Sequence, residues 1–561
     1  MKYLSIALTL VLFTAFGAAG ALAASQAKII ANDAEESDYF GSVSISGDYA
    51  IVGAWGEGTG GTWAGAAYIY HRTALNTWDT GTKIMADNAG ERDYFGSSVS
   101  ISGDYAIVGA YSEDTGGSDA GAAYIFYRDG ATWSQQAKIW AGYPDDIDWF
   151  GYSVSISGDY AIAGAPLEDT VGSEDGAAYI FHRDNGVEWR QATQIVADDA
   201  EARDNFGISV SISGDYAIVG ASAEDTGGSD AGAAYIFHRD GEWWPQQAKI
   251  MAPDAQASDY FGIPVSISGD YAIVGSKGED TGGSAAGAAY IFHRSGENTW
   301  DTGTKVMASD AAADDNFGRS VSISGPYAIV GADKEDTRGL DAGAAYLYSR
   351  TGENTWDTGT KIMADDAAAD DNFGSSVSIF GYYAIVGANH EDEGGLDAGA
   401  AYIIDHDLPA AIDLLSFEAE WVDGGAALYW LTGSETDCGA FTILRCEIDS
   451  TSNCYMDDYL DLGEVIPCED SLDGAQYGII DQTADPSVNY SYMLREYETT
   501  GGINHYGPAF LYSDEYEDDD QNDDDLPNDD LSDDDNPGDA SLGDSADGVN
   551  DSDESEGGCG C

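Results

Sequence analysis

The sequence has little positive charge and little proline. Lys and Arg together number 22 against 101 Asp and Glu, so the formal net charge is −79 at pH 7. A surface of this charge repels phosphates, which argues against a broad interface with nucleic acid or anionic lipid. With 12 prolines and 71 glycines among 561 residues, the chain is neither a collagen nor a Pro-rich linker.

Long hydrophobic runs are also scarce. One apolar stretch, Leu4 to Phe16, precedes Ala21-Leu22-Ala23, which has the small residues of a cleavage signal. The stretch is shorter than the roughly 20 residues that a membrane span requires. Residues 1–24 are therefore predicted to be a secretory signal peptide. No other segment of the sequence is long and apolar enough to cross a bilayer, so we expect a secreted or cell-surface protein without a membrane span.

Cysteine is rare, with six in the chain. Four fall close together: Cys438, Cys446, Cys454 and Cys468. Export and their even number favour two disulfides, with three connectivities open. A zinc site is the alternative, although the spacings lack any C-x₂-C pair. Cys559 and Cys561 end the chain as either an attachment handle or an intermolecular disulfide.

What the sequence does contain is a strong internal repeat. A Phe-Gly pair returns every 55 or 56 residues, at Phe40, Phe95, Phe150, Phe206, Phe261, Phe317 and Phe373. Each unit predicts four short strands, A to D. In the second unit strand A is Ser98 to Ser102, with strict alternation, and strand B begins at Tyr105 after a tight turn.

Seven units of four strands predict an all-β fold, a seven-bladed β-propeller over residues 26–407. The last unit lacks a strand D after Tyr402-Ile403-Ile404, whereas Lys28-Ile29-Ile30 is a strand D without a unit of its own. The N-terminal strand is therefore expected to complete blade seven and to hide two strand edges. An open solenoid is the alternative, and it would leave the last unit without a strand D and the N-terminal strand without a partner.

The repeats resemble the FG-GAP family, the propeller repeats of integrin α-subunits and many bacterial surface proteins. The resemblance rests on Phe150-Gly151 with Gly164-Ala165-Pro166, on Phe95-Gly96 with Val108-Gly109-Ala110, and on their counterparts in the other units. In the integrin form the resemblance implies a Ca²⁺ loop, D-x-D-x-D-G, between strands A and B. Here that place holds only Ser102-Gly103-Asp104, so this family site is not carried over.

Acidic residues recur at three positions of the repeat. The first is an Asp two residues before each Phe of the Phe-Gly pair: Asp38, Asp93, Asp148, Asp204, Asp259, Asp315 and Asp371. The second is a Glu four residues after the strand B glycine: Glu57, Glu113, Glu168, Glu224, Glu279, Glu335 and Glu391. The third is an Asp that follows this Glu in all units but the first: Asp114, Asp169, Asp225, Asp280, Asp336 and Asp392. The loops that carry them, D to A and B to C, emerge on one face of a propeller, so one rim should carry a ring of paired carboxylates.

Two interpretations of this ring stay open. Facing carboxylates and loop carbonyls suit Ca²⁺, a hard cation that takes six to eight oxygen ligands, and all these residues are candidate metal ligands. Alternatively, each Asp caps a turn through backbone N–H groups and each Glu is a solvated rim charge. Arg recurs as well, and we expect it to pair with these carboxylates: Arg72, Arg128, Arg183, Arg239, Arg294 and Arg350.

Beyond residue 407 the repeat is lost. Alternating runs such as Ala426 to Leu431 and Tyr490 to Tyr497 predict about seven short strands over residues 408–512, typical of a β-sandwich. The stretch from Tyr429 to Arg445 resembles fibronectin type III-like modules. Residues 513–561 form an acidic tail without Lys or Arg, for which disorder is predicted, and end in Cys-Gly-Cys.

The sequence shows no nucleophile elbow, H-E-x-x-H, phosphate loop or dinucleotide fingerprint. The primary hypothesis is therefore an exported, non-enzymatic binding or adhesion protein whose rim meets an extracellular protein or glycan. The alternative is a glycoside hydrolase or lyase acting on extracellular polymer, because paired carboxylates are plentiful. A third hypothesis attributes the acidity to a saline habitat. An active site usually breaks a ring's symmetry, which indicates blades three and seven: Trp149, Pro166, Val171, Phe380, Tyr382 and Tyr383. No oligomeric state is indicated.

Overall fold

The structure is a computed structural model that describes residues 25–74, 77–296, 299–352 and 354–405, then 412–422, 425–435, 438–448, 459–463, 465–468, 476–498 and 503–511. The predicted signal peptide and acidic tail lie outside the described residues. Within the described ranges no helix could cross a membrane. The chain divides into two units, residues 1–409 and 410–561.

In the first unit every repeat forms an antiparallel sheet, and strand β1 (Ser25–Ile29) precedes them. Blade one holds β2 (Phe40–Ser46), β3 (Tyr49–Ala54), β4 (Ala66–Ala74), β5 (Thr77–Trp78) and β6 (Thr82–Ile84). Blade two holds β7 (Ser98–Ser102), β8 (Tyr105–Ala110), β9 (Ala122–Asp129) and β10 (Thr132–Ile139). Blade three holds β11 (Ser153–Ser157), β12 (Tyr160–Ala165), β13 (Ala177–Asp184) and β14 (Glu188–Ile195). Blade four holds β15 (Phe206–Ser213), β16 (Tyr216–Ala221), β17 (Ala233–His238) and β18 (Gln246–Ile250).

The remaining blades repeat this order. Blade five holds β19 (Val265–Ser268), β20 (Tyr271–Ser276), β21 (Ala288–Gly296), β22 (Thr299–Trp300) and β23 (Thr304–Val306). Blade six holds β24 (Ser320–Ser324), β25 (Tyr327–Ala332), β26 (Ala344–Gly352), β27 (Thr355–Trp356) and β28 (Thr360–Ile362). Blade seven holds β29 (Phe373–Phe380), β30 (Tyr383–Ala388) and β31 (Ala400–Asp405).

Strand β1 completes blade seven. It pairs antiparallel with β31, so that Lys28 lies opposite Tyr402 and Ser25 lies opposite Asp405. The sheet therefore has the order β1-β31-β30-β29, which combines the two ends of the repeat region. This confirms the closure predicted from the count of strands.

The seven A strands lie innermost and are joined by serine side chains. The Ile101 N–H of blade two donates to Ser44 Oγ of blade one at 3.2 Å, and the Val43 N–H of blade one donates to Ser376 Oγ of blade seven at 3.1 Å. Equivalent bonds join each of the remaining pairs of neighbouring blades. These hydroxyls satisfy N–H groups that an innermost strand would otherwise leave unpaired. Because the circle of bonds is complete, the seven blades form a closed propeller and not a solenoid.

Two glycines of each repeat let neighbouring blades approach closely. A Cβ placed on Gly53 in β3 would lie 1.9 Å from the carbonyl oxygen of Gly96 in blade two. The contact recurs around the ring, and a Cβ on Gly387 of blade seven would lie 1.9 Å from the Gly41 oxygen of blade one. No side chain fits at such a distance, which explains why Phe-Gly and Gly-Ala recur together.

The second unit contains β32 (Ile412–Val422), β33 (Gly425–Glu435), β34 (Cys438–Ile448), β35 (Leu460–Asp461), β36 (Ile466–Pro467), β37 (Gln476–Asp481), β38 (Asn489–Glu498) and β39 (Ile503–Leu511). One sheet has the order β32-β33-β37 and the other β35-β34-β38-β39, with β36 beside β34. Trp430 from the first sheet packs in one core with Phe441 and Tyr492 from the second, which makes a β-sandwich.

Two predictions about this unit stay open. Cys446 and Cys468 are disulfide-bonded in the structure, but Cys454 lies outside the described residues, so the connectivity stays a prediction. The resemblance to fibronectin type III-like modules also stays a prediction, because two packed sheets are common to many sandwich folds.

Candidate functional site

The loops between strands D and A meet the loops between strands B and C at one end of the propeller channel, which we call the axial mouth. The Phe40 N–H of blade one donates to the Ala398 carbonyl of blade seven at 2.9 Å, and the same bond links the other neighbouring blades. All three repeated carboxylate positions lie in these loops, at this one end.

The Asp before each Phe-Gly pair closes its own turn. The Asp38 carboxylate accepts from the Glu35 N–H at 2.8 Å, and the other six make the same bond. All seven are buried. Burial, which removes water from the carboxylate, raises the pKa of four of them to about 6: Asp38, Asp93, Asp148 and Asp204.

The Glu of the second position contacts a lysine in six of the seven blades. In blade five the Lys305 ammonium lies 2.7 Å from Glu279 and 2.8 Å from Asp254. Thr281 donates its hydroxyl to the same Glu. The lysines all come from strand D: Lys28, Lys83, Lys138, Lys249, Lys305 and Lys361. The Glu of each of these blades therefore has a cationic partner within its own sheet.

Blade three is the exception, because Gln194 stands where the other blades have lysine. Its side-chain amide donates to the Tyr179 hydroxyl at 3.0 Å and supplies no charge. Burial and the nearby Asp148 raise the pKa of Glu168 to about 7. One Glu168 oxygen is buried without a hydrogen-bond partner among the described residues, as is one oxygen each of Glu57, Glu224 and Glu335 in blades that have the lysine. Blade three thus holds an acidic pair without the cation that its equivalents have.

The third carboxylate position also serves its own loop. Asp114 accepts from the Asp119 N–H at 2.9 Å, and its five counterparts bond in the same way. Among the described residues one cluster of three carboxylates has metal-like spacing: Asp366, Glu391 and Glu393. The Lys28 ammonium lies 2.7–2.8 Å from all three, so the closing strand supplies the cation there.

The expected pairing of the repeated Arg residues with this ring is wrong. Arg128 instead bonds to Asp104, in the turn between strands A and B at the opposite end of the blade. Its guanidinium also lies 4.4 Å from the ring centre of Tyr49 in the preceding blade. Strand C starts at the axial mouth, and seven residues of strand span about 23 Å. The repeated Arg is therefore carried to the far end.

A continuous group of aromatic rings lies at the axial mouth of blades one to three. We call it the aromatic arc: Tyr39, Trp55, Trp63, Tyr94, Tyr111, Trp149 and Tyr152. It contains three stacked pairs, with ring centres 4.2 Å apart for Tyr39–Trp55, 5.2 Å for Tyr94–Tyr111 and 5.9 Å for Trp149–Tyr152. Edge contacts of 5.9 Å (Trp55–Tyr94) and 5.6 Å (Tyr111–Trp149) join the pairs.

Four rings of the arc occupy an unfavourable backbone conformation, and one of them is Trp63 at φ +57°. The residue before Phe-Gly has a positive φ in every blade, and the values are +53° at Tyr39, +54° at Tyr94 and +59° at Trp149. Three other blades place Asn there, a residue that tolerates this region: Asn205, Asn316 and Asn372. A bulky side chain there costs roughly 1–2 kcal/mol. Strain of this kind is concentrated at functional sites, so these positions are candidates for a functional role.

The opposite side of the mouth carries positive charge. Tyr39, Trp55, Tyr111 and Tyr152 line a cavity of about 380 Å³ together with Arg319 of blade six. An adjoining cavity of about 410 Å³ is the channel itself, lined by residues of all seven blades, with Lys277 and Arg319 at its wall. The mouth is thus aromatic on blades one to three and cationic on blades five and six.

A family model of the FG-GAP repeat matches seven segments of the chain: residues 24–70, 78–126, 133–181, 189–237, 244–292, 300–348 and 356–404. This chain belongs to the FG-GAP repeat family. The first segment takes in β1, so the family unit runs from strand D to strand C and all seven copies are complete. None of the curated proteins compared with this FG-GAP chain matches it.

Two solved structures illustrate a distant similarity to the FG-GAP chain. An acylaminoacyl peptidase of Pyrococcus horikoshii has 12% identity and a TM-score of 0.36, with 71% of this chain and 58% of the peptidase covered. The endosialidase of phage phi92 has 10% identity and a TM-score of 0.35, with 88% of each chain covered. At these TM-scores neither similarity supports a function.

The sequence revealed this FG-GAP site only in part. Trp149 was expected at a divergent blade, and it lies in the arc. Phe380 and Tyr383 instead lie at the other end of blade seven, where Tyr383 accepts from Arg72 at 2.6 Å. The signal that could have found the arc is the residue before each Phe-Gly pair, which changes from Tyr or Trp to Asn between blades while its neighbours hardly vary.

Proposed function

We propose that this FG-GAP propeller is an exported, non-enzymatic binding protein whose axial mouth binds a glycan. The aromatic arc supports this proposal most directly. A sugar ring has apolar C–H faces and polar edges, so it stacks on aromatic rings while its hydroxyls bond to neighbouring polar groups. Ser42, Ser97 and Ser375 line the same cavity and supply such groups. The cavity volume is also in the range of small-ligand sites.

The arc is exposed enough to meet a ligand. Trp63 is 38% exposed and Tyr152 is 36% exposed, and the other five rings are half-buried. Aromatic side chains that are held by their neighbours lose little conformational freedom on binding, which makes them efficient anchors. The FG-GAP family is typical of extracellular or surface proteins, so export and a glycan partner outside the cell belong to one proposal.

A glycan array with the full chain tests this function. We expect wild-type protein to bind at least one class of glycan, and Trp55→Ala to weaken that binding about tenfold, as for the loss of one stacked ring. Trp140→Ala is the matched control, because Trp140 is 45% exposed and lies outside the arc. Equal losses in both variants, or no binding to any glycan, would contradict the proposal.

A second candidate is the polymer-degrading enzyme, and blade three favours it. Half-buried Glu168 and buried Asp148 form an acidic pair with raised pKa values of about 7 and about 6, beside Trp149 of the arc. A carboxyl group with a pKa near neutrality can act as a general acid. Release of reducing ends from a bound glycan, lost in Glu168→Gln, would move the assignment from binding protein to enzyme.

Calcium binding remains a proposal, and we place it in blade three. In six blades a lysine ammonium occupies the space between the acidic loops, whereas Gln194 leaves Glu168 without a cation. A Ca²⁺ ion bound by Glu168, Asp148 and loop carbonyls would supply the missing charge.

Gln194→Lys tests this assignment. Between pH 4.5 and 7 folded Glu168 holds more protons than unfolded Glu168, so its contribution to stability falls as pH rises through this window. Restoring the lysine should raise the free energy of unfolding by roughly 1 kcal/mol at pH 7.5 and by almost nothing at pH 4.5. Thermal unfolding at fixed ionic strength should show stabilisation by Ca²⁺ in wild type and not in Gln194→Lys. An equal response of the two proteins, or none, would remove calcium from blade three.

A further inference from the structure

Lys277 is unusual among the basic residues of the propeller. The strand D lysines contact Glu residues and the repeated Arg residues bond at the far end. Lys277, half-buried in blade five, makes no hydrogen bond or ion pair with any residue that the structure describes. Burial and the nearby Arg319 guanidinium lower the pKa of Lys277. The Asp333 carboxylate acts on Lys277 in the opposite direction and also faces Arg319, so one anion is shared by two cations and a second anion would be favourable there.

The Arg319 guanidinium, which lies near Lys277, has N–H donors available for a ligand. Its Nε lies 3.5 Å from Asp333, which is an ion-pair contact and longer than a normal hydrogen bond, and its side chain is 42% exposed. A guanidinium presents five N–H donors in a planar fork that matches both oxygens of a carboxylate. The group faces the cavity that Tyr39 and Tyr152 also line.

We propose that the axial mouth selects a glycan that carries carboxylate groups, with one carboxylate bound by Arg319 and Lys277 while adjoining sugars stack on the aromatic arc. This inference rests on the proposed glycan-binding function and adds the chemical class of the ligand. A polyuronate has the required pattern, because each sugar offers an apolar face and one carboxylate.

In a protein with so large a negative charge, the two cations Lys277 and Arg319 at one place indicate a local site for an anion. At a net charge of −79 the chain repels anions at long range, and only 22 basic residues are present. Basic residues are placed at the mouth in blades five and six: Lys277, Arg319 and Lys334. Because exposed charges are screened within about 10 Å at 0.1 M salt, a local cationic site can bind an anion that the distant surface repels.

Binding of oligogalacturonate to the full chain, measured by calorimetry beside its methyl ester, tests this inference. The ester keeps the sugar faces and removes the charge. We expect the acid to bind at least about tenfold more tightly than the ester, and Arg319→Gln or Lys277→Gln to bring the ratio of the two affinities close to one. Arg203→Gln is the matched control, because Arg203 is an exposed rim cation that lines neither cavity.

The outcomes separate this inference from the function beneath it. Equal affinity for acid and ester, or a preference that survives both substitutions, would overturn the carboxylate site and leave glycan binding intact. A sulfated glycan that binds more tightly than the polyuronate would also overturn it in favour of sulfate. Failure of every glycan on the array would refute the proposed function itself. Thermal unfolding of each variant shows that it is folded.

Discussion

Gly387→Ala is expected to lower the free energy of unfolding by roughly 3 kcal/mol or more. The new methyl group would lie 1.9 Å from the Gly41 oxygen and 2.9 Å from the Gly41 carbonyl carbon. Both contacts are with main chain, which cannot rotate away as a side chain can, so blades one and seven would have to separate. Their separation would also weaken the hydrogen bond from Val43 to Ser376. Urea unfolding of the purified protein measures the loss.

Two glycines in blade one are the controls for this prediction. Gly53→Ala meets the Gly96 oxygen at 1.9 Å inside the ring and should cost as much as Gly387→Ala. Gly58→Ala meets nothing within 4 Å and should change stability by less than about 0.5 kcal/mol. A severe loss at Gly53 with tolerance at Gly387 would mean that the last blade does not meet the first, and the closed ring would be refuted.

Tyr94→Asn is expected to abolish most glycan binding while leaving the fold as stable as wild type. Asn relieves roughly 1–2 kcal/mol of left-handed strain at φ +54°. The Tyr94 ring stacks on Tyr111 and meets the edge of Trp55, and each of these aromatic interactions is worth about 0.5–1.5 kcal/mol. The relief of strain and the removal of the ring nearly cancel, so the free energy of unfolding should change by less than about 1 kcal/mol, whereas affinity should fall about tenfold or more.

The native Asn residues show that the replacement fits. Asn372 Nδ2 donates to the Asp333 carbonyl at 3.2 Å and to the Asp341 carbonyl at 3.1 Å, bonds that a Tyr cannot make from this position. Tyr260→Asn supplies the control, because Tyr260 has φ +53° and no ring contact among the described residues. It should gain about 1 kcal/mol of stability from strain relief. If both variants unfold more readily than wild type, the rings are structural and the strain argument is wrong.

The propeller could be predicted because its cues are local and repeated. The spacing of Phe-Gly, the alternation in strand A and the surplus strand D at the start each follow from the order of residues. The rim of carboxylates could also be placed on one face, since two loop types share an end of every blade. The partners of those carboxylates could not be predicted, because they depend on the register between strands C and D. Lys83 lies opposite Tyr68, near the start of strand C, whereas Arg72 lies at its far end.

The sequence by itself determined seven four-stranded units, their closure by the N-terminal strand and a sandwich after them, because each depends on periodicity along the chain. Only the tertiary structure decided which residues come together at the proposed site. Seven aromatic rings from loops more than 100 residues apart meet at one end of the channel, opposite Arg319 and Lys277. A closed ring of blades places equivalent positions of different repeats side by side. Residues that differ between repeats without an evident pattern along the chain therefore form one continuous surface.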